Sequence, residues 1–281
     1  MDSQLVSPDA LEAYSDWRVL LPDGTRTKHM CINSPYRKEF VYPLYKEIID
    51  RYGVKGFTDN GGVGASTLCH CGFCKKRWGD EVGGSLPTAA SLADAAYRDW
   101  LRWSDKIVLE NWEQSDEYIR TWGGSDCLFL GLARKFSPFN HAVARRARLI
   151  LMDCQSRNDS GTFREHVDEG RYMKGILGWD HNVAVASSMT QHSHGYFRLT
   201  SDPAAEARMY LLSGIAGGFD PWWHHPTAYS PDRRSYDIAG PVFEWHAENS
   251  DALHHRTPLV TVGVVRSAQN DQFFGRDIGP F

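Results

Sequence analysis

Along this chain, segments with apolar residues at three- and four-residue intervals trade places with short, nearly continuous apolar runs. After an irregular start, Pro35 to Tyr52 follows the first pattern, with Val41, Leu44, Tyr45, Ile48 and Ile49 on one helical face. Val54 to Asn60 reads as a short strand. A long helix is expected from about Leu92 to Trp122 and a strand from Cys127 to Leu132. Ala142 to Arg148 then leads into the apolar strand Leu149-Ile-Leu-Met-Asp153. A helix around Thr162 to Gly170, a strand at Val183 to Ala186 and a helix from Pro203 to Ser213 follow. Gly217 to His225 reads as a strand running into a loop, Pro241 to Leu253 as a helix, and Leu259 to Val265 as a β-rich run. Such alternation predicts βα units around a parallel sheet, the α/β class. Five strands before the last run are fewer than the eight of a closed (β/α)8 barrel, and sixteen residues follow that run. Both ends are therefore expected to be cut, with a domain boundary near Arg256-Thr-Pro258.

Composition narrows the class. With 42% hydrophobic and 23% charged residues the 281-residue chain is an ordinary globular sequence, neither disordered nor a coiled coil. A net charge of -4 argues against a nucleic-acid partner, because phosphate binding relies on clustered Lys and Arg. The one dense basic run, Arg145-Arg146-Ala-Arg148, reads as the end of an exposed helix. No apolar stretch is long enough to span a bilayer, and Met1-Asp2-Ser3 lacks the start of a signal peptide. A cytoplasmic address without membrane contact is the expectation. The ten Trp, twelve Tyr and thirteen Phe suit sugar surfaces, and they fill cores equally well.

The cysteines carry the clearest candidate chemistry. Cys69-His-Cys71-Gly-Phe-Cys74 follows the strand ending Asp59-Asn60, and Cys31 lies upstream in His-Met-Cys31-Ile-Asn-Ser-Pro-Tyr. A short loop can turn several thiolates toward one point, and Zn²⁺ accepts four such ligands tetrahedrally. A closed set of Cys31, Cys69, Cys71 and Cys74 leaves no open position, so its role would be structural. His70 is an alternative ligand for one thiol. Disulfides rank second, since six cysteines make an even count, and inert buried thiols third. For Cys127 and Cys154, which sit in apolar runs, the core reading ranks first.

In parallel α/β folds, reactive groups gather at the carboxyl ends of strands. Asp59 is such a group, a nucleophile or base candidate or merely a cap, with Asn60 and a glycine loop behind it. Asp153 is another, followed by Gln155 and by Arg157, which can hold it ionised. Asp220-Pro-Trp222-Trp223-His224-His225 is the densest cluster of rings and reads as the floor of a sugar subsite; a packed corner is the alternative. Asp232 and Arg233 follow, candidates for substrate hydroxyls or for a solvated helix start. No nucleotide-binding glycine motif, HExxH or Gly-x-Ser-x-Gly elbow occurs in the required setting, so no organic cofactor is expected.

Asn33-Ser-Pro-Tyr-Arg37, the strand ending Asp59-Asn60 and Cys69-His-Cys71-Gly-Phe-Cys74 together resemble the metal-bearing barrels of glycoside hydrolase family 42 β-galactosidases and their uncharacterised glycosyl-hydrolase-like relatives. The segment Ala216 to His225 through Arg234 looks like the relatives rather than the β-galactosidases proper. The resemblance implies a (β/α)8 TIM-type barrel over residues 1–256 that lacks its first strands. It also implies that residues 257–281 begin a flavodoxin-like, trimerisation-type domain, and hence a homo-oligomer for the full-length protein. Zinc on Cys31, Cys69, Cys71 and Cys74, a carbohydrate substrate and hydrolysis of an O-glycosidic bond by paired carboxylates come with it. The family's acid/base Glu position is Gly61 here, and Val183 to Met189, where the nucleophile Glu belongs, contains no acid. Two readings follow. One is a glycosidase with relocated carboxylates, Asp59 as nucleophile and Asp153 or Asp220 as acid/base, about 5 Å apart for retention or about 6.5 to 9.5 Å for inversion. The other is a barrel that binds carbohydrate without cleaving it. A zinc-dependent interaction module ranks third.

Overall fold

Between Arg18 and Met30, where an irregular start was expected, the chain forms regular structure. β1 (Arg18–Leu20) and β2 (Arg26–Met30) form an antiparallel hairpin. Its turn is closed by Asp23, whose carboxylate accepts from the Thr25 N–H at 2.8 Å, and by Gly24 at φ 88°. Only glycine enters that left-handed region at no steric cost. The computed structural model describes residues 8–58, 67–133, 142–143, 145–153, 162, 164–188, 203–224, 232–254, 256–259, 261–265 and 267–273. They fall into two units, Met1–Val143 with Arg266–Phe281, and Ala144–Val265.

In the first unit, a π turn at Arg37–Val41 runs into α1 (Tyr42–Tyr52), which buries Tyr45 and Ile49 of the expected face together with Tyr42, while Leu44 and Ile48 are half-buried. Gly53 at φ 60° ends the helix with its N–H on Ile49 O, the left-handed C-terminal cap. β2 and α1 are joined through the turn that carries Cys31. β3 (Gly56–Thr58) pairs in parallel with β4 (Leu128–Ala133), Gly56 opposite Leu128. Between them lie α2 (Gly72–Glu81), which the sequence reading missed, and the 29-residue α3 (Ala95–Gly123), capped by Asp94 on Ala96 N–H at 2.9 Å. Trp78, Trp100, Trp103 and Trp112 are buried here, so much of the tryptophan surplus is core.

In the second unit, β5 (Leu149–Asp153), β6 (Asn182–Ser188) and β7 (Asp220–His224) form a parallel sheet; Asp153, Ala186 and Trp222 stand side by side in its register. α4 (Glu165–Leu177) and α5 (Ala204–Gly217) connect the strands. They cross where Gly170 faces Gly217, so closely that a Cβ on Gly170 would lie 2.6 Å from Gly217 O. α6 (Arg234–Glu248) starts seven residues before the expected Pro241, which it carries internally, and α7 (Ser250–Leu253) follows.

All five expected α/β strands are present. The parallel ladders of the described residues, β3 with β4 and β5 through β7, do not by themselves close a barrel. Among the described residues of the run 259–265 no strand is assigned: Leu259 is fully exposed and Val265 is 97% exposed. β propensity is realised only on a pleated surface with a neighbour to pair, and none of the described strands pairs with this run. No helix among the described residues is long and apolar enough to cross a membrane.

Candidate functional site

Hairpin and helix bring four thiols to one point. β2 delivers Cys31, whose N–H bonds Trp17 O at 2.7 Å; the His70 N–H bonds Leu20 O at 2.7 Å and ties the Cys69 loop to the same hairpin. α2 begins inside the motif. Cys71 is its extended N-cap, and Cys74 lies in its first turn. The four Sγ atoms all fall within 4.8 Å of one another, with Cys31–Cys74 at 3.3 Å and Cys31–Cys71 at 3.5 Å. Bonds of about 2.3 Å to a tetrahedral ion would set sulfurs about 3.8 Å apart. All four are buried at 7% exposure or less, amid Trp78, Leu86, Trp100, Trp103 and Ile107. They are free thiols rather than disulfides. The His70 ring turns away, its Nε2 2.9 Å from Pro87 O, so it is not among the ligands. Cys127 is core, fully buried; Cys154 lies outside the described residues.

The sulfurs share protons unequally. Hydrogen bonds from Cys31, then from Cys71 and Cys74, pull the Cys69 thiol well below its ordinary value, while bonding to Cys69 first, and then to the other two, pushes Cys31 up. A divalent ion replaces those protons and holds all four as thiolates. The donor set, sulfur only and closed to solvent, fits a structural metal site.

Two residues outside the ligand set expected from the sequence complete the centre. Asn33 donates its backbone N–H to Cys31 Sγ at 3.4 Å and its Nδ2 to Cys74 Sγ at 3.3 Å. Arg77 fixes that amide by donating to Asn33 Oδ1 at 3.0 Å, and itself pairs with Glu81 and Glu110. Lys106 and the Trp103 indole close the network on Glu81. Such outer partners orient ligands and offset thiolate charge. Their sequence trace is faint: Asn33 is two residues past Cys31, whereas Arg77 is 44 residues from Asn33.

Of the strand-end candidates, Asp59, Asn60, Gln155, Arg157 and His225 lie outside the described residues, and for Asp153 and His224 only the backbone is described. Asp153 is the last residue of β5, at its carboxyl end. Trp222 is level with it, but Trp223 on the opposite face of β7 packs on Leu211, Ile215, Ala239 and Val242 from α5 and α6. The two indoles therefore do not share one floor. Asp232 accepts from the Arg234 N–H and pairs with its guanidinium at 2.7 Å, and Arg233 lies over the Tyr236 ring at 4.6 Å. Both residues organise the start of α6.

The fold is shared with a solved β-galactosidase. The crystal structure of β-galactosidase from Bacillus circulans sp. alkalophilus matches 89% of this chain with a TM-score of 0.66 at 13% sequence identity. The chain spans 46% of that protein, less than half its length. No family model and no curated protein matches the sequence. At that identity the likeness is one of fold.

Asp220 sits at the other end of the chemistry. The sequence reading began the strand at Gly217, but Gly217 ends α5, and Gly218 at φ 103° caps it, with the Phe219 N–H on Gly214 O. β7 thus starts at Asp220, which places this carboxylate at the amino end of the strand, opposite the end where reactive groups gather in such folds. There its Oδ1 meets His254 Nε2 at 3.3 Å and His246 Nε2 at 3.8 Å. His254 Nδ1 also lies 2.8 Å from Ser250 O. Burial lowers His246 below the ordinary histidine value, with Asp220 opposing and His254 and Arg256 adding to the shift.

Proposed function

We propose that this chain is a glycoside-hydrolase-like α/β barrel protein acting on an O-glycosidic bond of a carbohydrate, with zinc as a structural ion on Cys31, Cys69, Cys71 and Cys74. The likeness of fold to a β-galactosidase over 89% of the chain carries this reading. Asp59, next after β3, and Asp153, last in β5, are the carboxylates we assign to it, Asp59 as nucleophile and Asp153 as acid/base. Trp222, level with Asp153, offers a ring for stacking against a sugar. Asn60, Gln155, Arg157, His224 and His225 are the candidate partners for sugar hydroxyls. Asp220, held by two imidazoles, is assigned a structural role. When bound, the zinc ion would cross-link hairpin and helix beside the first unit's core and take no part in bond cleavage.

Gly61 in place of the family's acid, and the absence of any acid over 183–189, favour a second reading in which the protein binds sugar without cleaving it. Aryl-glycoside hydrolysis by the wild type, Asp59→Asn and Asp153→Asn separates the two. Turnover in the wild type with loss in both variants supports the carboxylate assignment, and wild-type turnover in both variants overturns it. Saturable glycan binding with no turnover selects the second reading.

A further inference from the structure

The thiol centre borders a cavity of about 360 Å³ in the first unit, a volume within the range of small-molecule sites. Ile32, Asn33 and Ser34, which directly follow Cys31, line it together with Phe73, which lies between Cys71 and Cys74. α3 contributes Asn111 and Gln114, three residues apart and so neighbours on one helical face. Charges around the cavity are already engaged: Asp80 pairs with Lys76 at 2.6 Å, Glu81 with Arg77 at 2.8 Å, and Arg37 donates to the buried Ser115 Oγ at 3.1 Å. The two amides of α3 are not. Asn111 is 7% exposed, its Nδ2 is spent on Ile107 O at 3.0 Å, and its Oδ1 accepts no hydrogen bond among the described residues. Gln114 is exposed and makes no side-chain hydrogen bond among the described residues. An acceptor held in a nearly buried side chain is costly when unmet, and a donor on a bound molecule removes that cost.

We propose that this cavity binds a small neutral polyhydroxy compound, the size of one sugar ring, and that this ligand and the metal hold each other in place. A hydroxyl donates to Asn111 Oδ1, others meet the Gln114 amide, and the C–H face of the ring packs on Phe73. An amide carries one acceptor and two donors, and each hydroxyl both donates and accepts, so the two chemistries match without a net charge. A ligand seated here touches Ile32 to Ser34 and Phe73, the chain on either side of the sulfur cluster, and braces both segments in the metal-bound arrangement. Linkage makes the effect mutual: the factor by which the ligand raises metal affinity is the factor by which the metal raises ligand affinity. The site uses neither Asp59, Asp153 nor Trp222 and stands or falls independently of the glycosidase reading.

Calorimetric titration of the metal-loaded full chain with a hexose, a cyclic hexitol and a hexose 6-phosphate tests the site. Chelator competition for zinc, with and without the tightest neutral compound, tests the coupling. Saturable binding of a neutral compound is expected, with zinc retained about fivefold more tightly at saturation. Gln114→Ala, an exposed change on α3 that leaves the fold intact, should weaken binding about tenfold, and Asn111→Leu, close in shape but without the acceptor, at least as much. Binding should survive Trp222→Ala, which separates this cavity from the carboxyl end of the sheet. Binding lost in Trp222→Ala but kept in Gln114→Ala, affinity undiminished in both Gln114→Ala and Asn111→Leu, or no saturable binding of a neutral compound up to about 100 mM overturns the site. Tighter binding of the 6-phosphate than of the hexose overturns its neutral character, and zinc retention unchanged by ligand overturns the coupling.

Discussion

Adding one methyl group at three glycines of the second unit should shift stability in opposite directions. Alanine is favoured over glycine in a helix by about 1 kcal/mol. At Gly175, exposed on α4 with nothing within 4 Å of a built Cβ, that gain stands alone, and Gly175→Ala should stabilise by about 0.5 to 1 kcal/mol. At Gly217 the same Cβ would lie 2.9 Å from Val167 Cα and O and 3.0 Å from His166 O; at Gly170 it would lie 2.6 Å from Gly217 O and 2.7 Å from its carbonyl carbon. These are backbone atoms, which no rotamer change removes. A relaxed carbon-to-oxygen contact needs about 3.3 Å, so the helices must part by roughly 0.4 Å for Gly217→Ala and roughly 0.7 Å for Gly170→Ala. Overpacking of this kind costs about 1 to 3 kcal/mol, which leaves Gly217→Ala about 1 and Gly170→Ala about 2 kcal/mol less stable after the helix gain. Urea midpoints followed by circular dichroism should rank Gly175→Ala above the wild type and Gly170→Ala lowest. If Gly170→Ala melts with Gly175→Ala, the close helix crossing is not a feature of the protein.

Three further outcomes follow from the geometry. Asn33→Ala removes the side-chain donor to Cys74 and the anchor of Arg77, and should weaken zinc retention about 10- to 100-fold in chelator competition, with secondary structure retained. Because His246 is depressed in the folded state, the unfolded chain binds its proton first. Its contribution is therefore fully present above about pH 6.5 and is lost as pH falls below it, a slope that His246→Gln should flatten in urea midpoints at pH 7.5 and 5.5. Trp223→Ala should cost roughly 3 kcal/mol of stability by emptying its place against α5 and α6, whereas Trp222→Ala should reduce glycan binding more than stability, as thermal melts and affinity electrophoresis would separate.

The parallel strands were legible as short runs set between helical patterns, and most helices because each covers enough residues for its period to repeat, as in α1 and α3. The hairpin was not, although Pro22-Asp-Gly24 is a turn signature, because strands of three and five residues give little alternation to read. α2 was hidden by its own cysteines and charges. Pro241 was read as a helix start, yet α6 is organised earlier by Asp232, and the helix carries the proline inside. Gly217-Gly218 looked like the approach to a strand and is instead a helix end, and that error moved Asp220 to the wrong end of β7. The thiol centre was readable because three of its ligands are sequence neighbours. Its Asn33–Arg77 support was not, since a contact across 44 residues leaves no local trace.

That α2 starts within the cysteine motif makes chain length critical over a dozen residues. Cys74, Arg77, Trp78 and Glu81 follow at three- and four-residue steps on one helical face, serving in turn the sulfur cluster, Asn33, the core and the Arg77 pair. A single inserted residue between Cys74 and Arg77 would rotate everything after it by about 100° and disconnect all of these roles at once. Insertions beyond Gly83 and Gly84, both at positive φ with open space around them, leave that phase untouched. The segment from Cys69 to Glu81 is thus a region where substitutions can be graded but insertions and deletions are all-or-none.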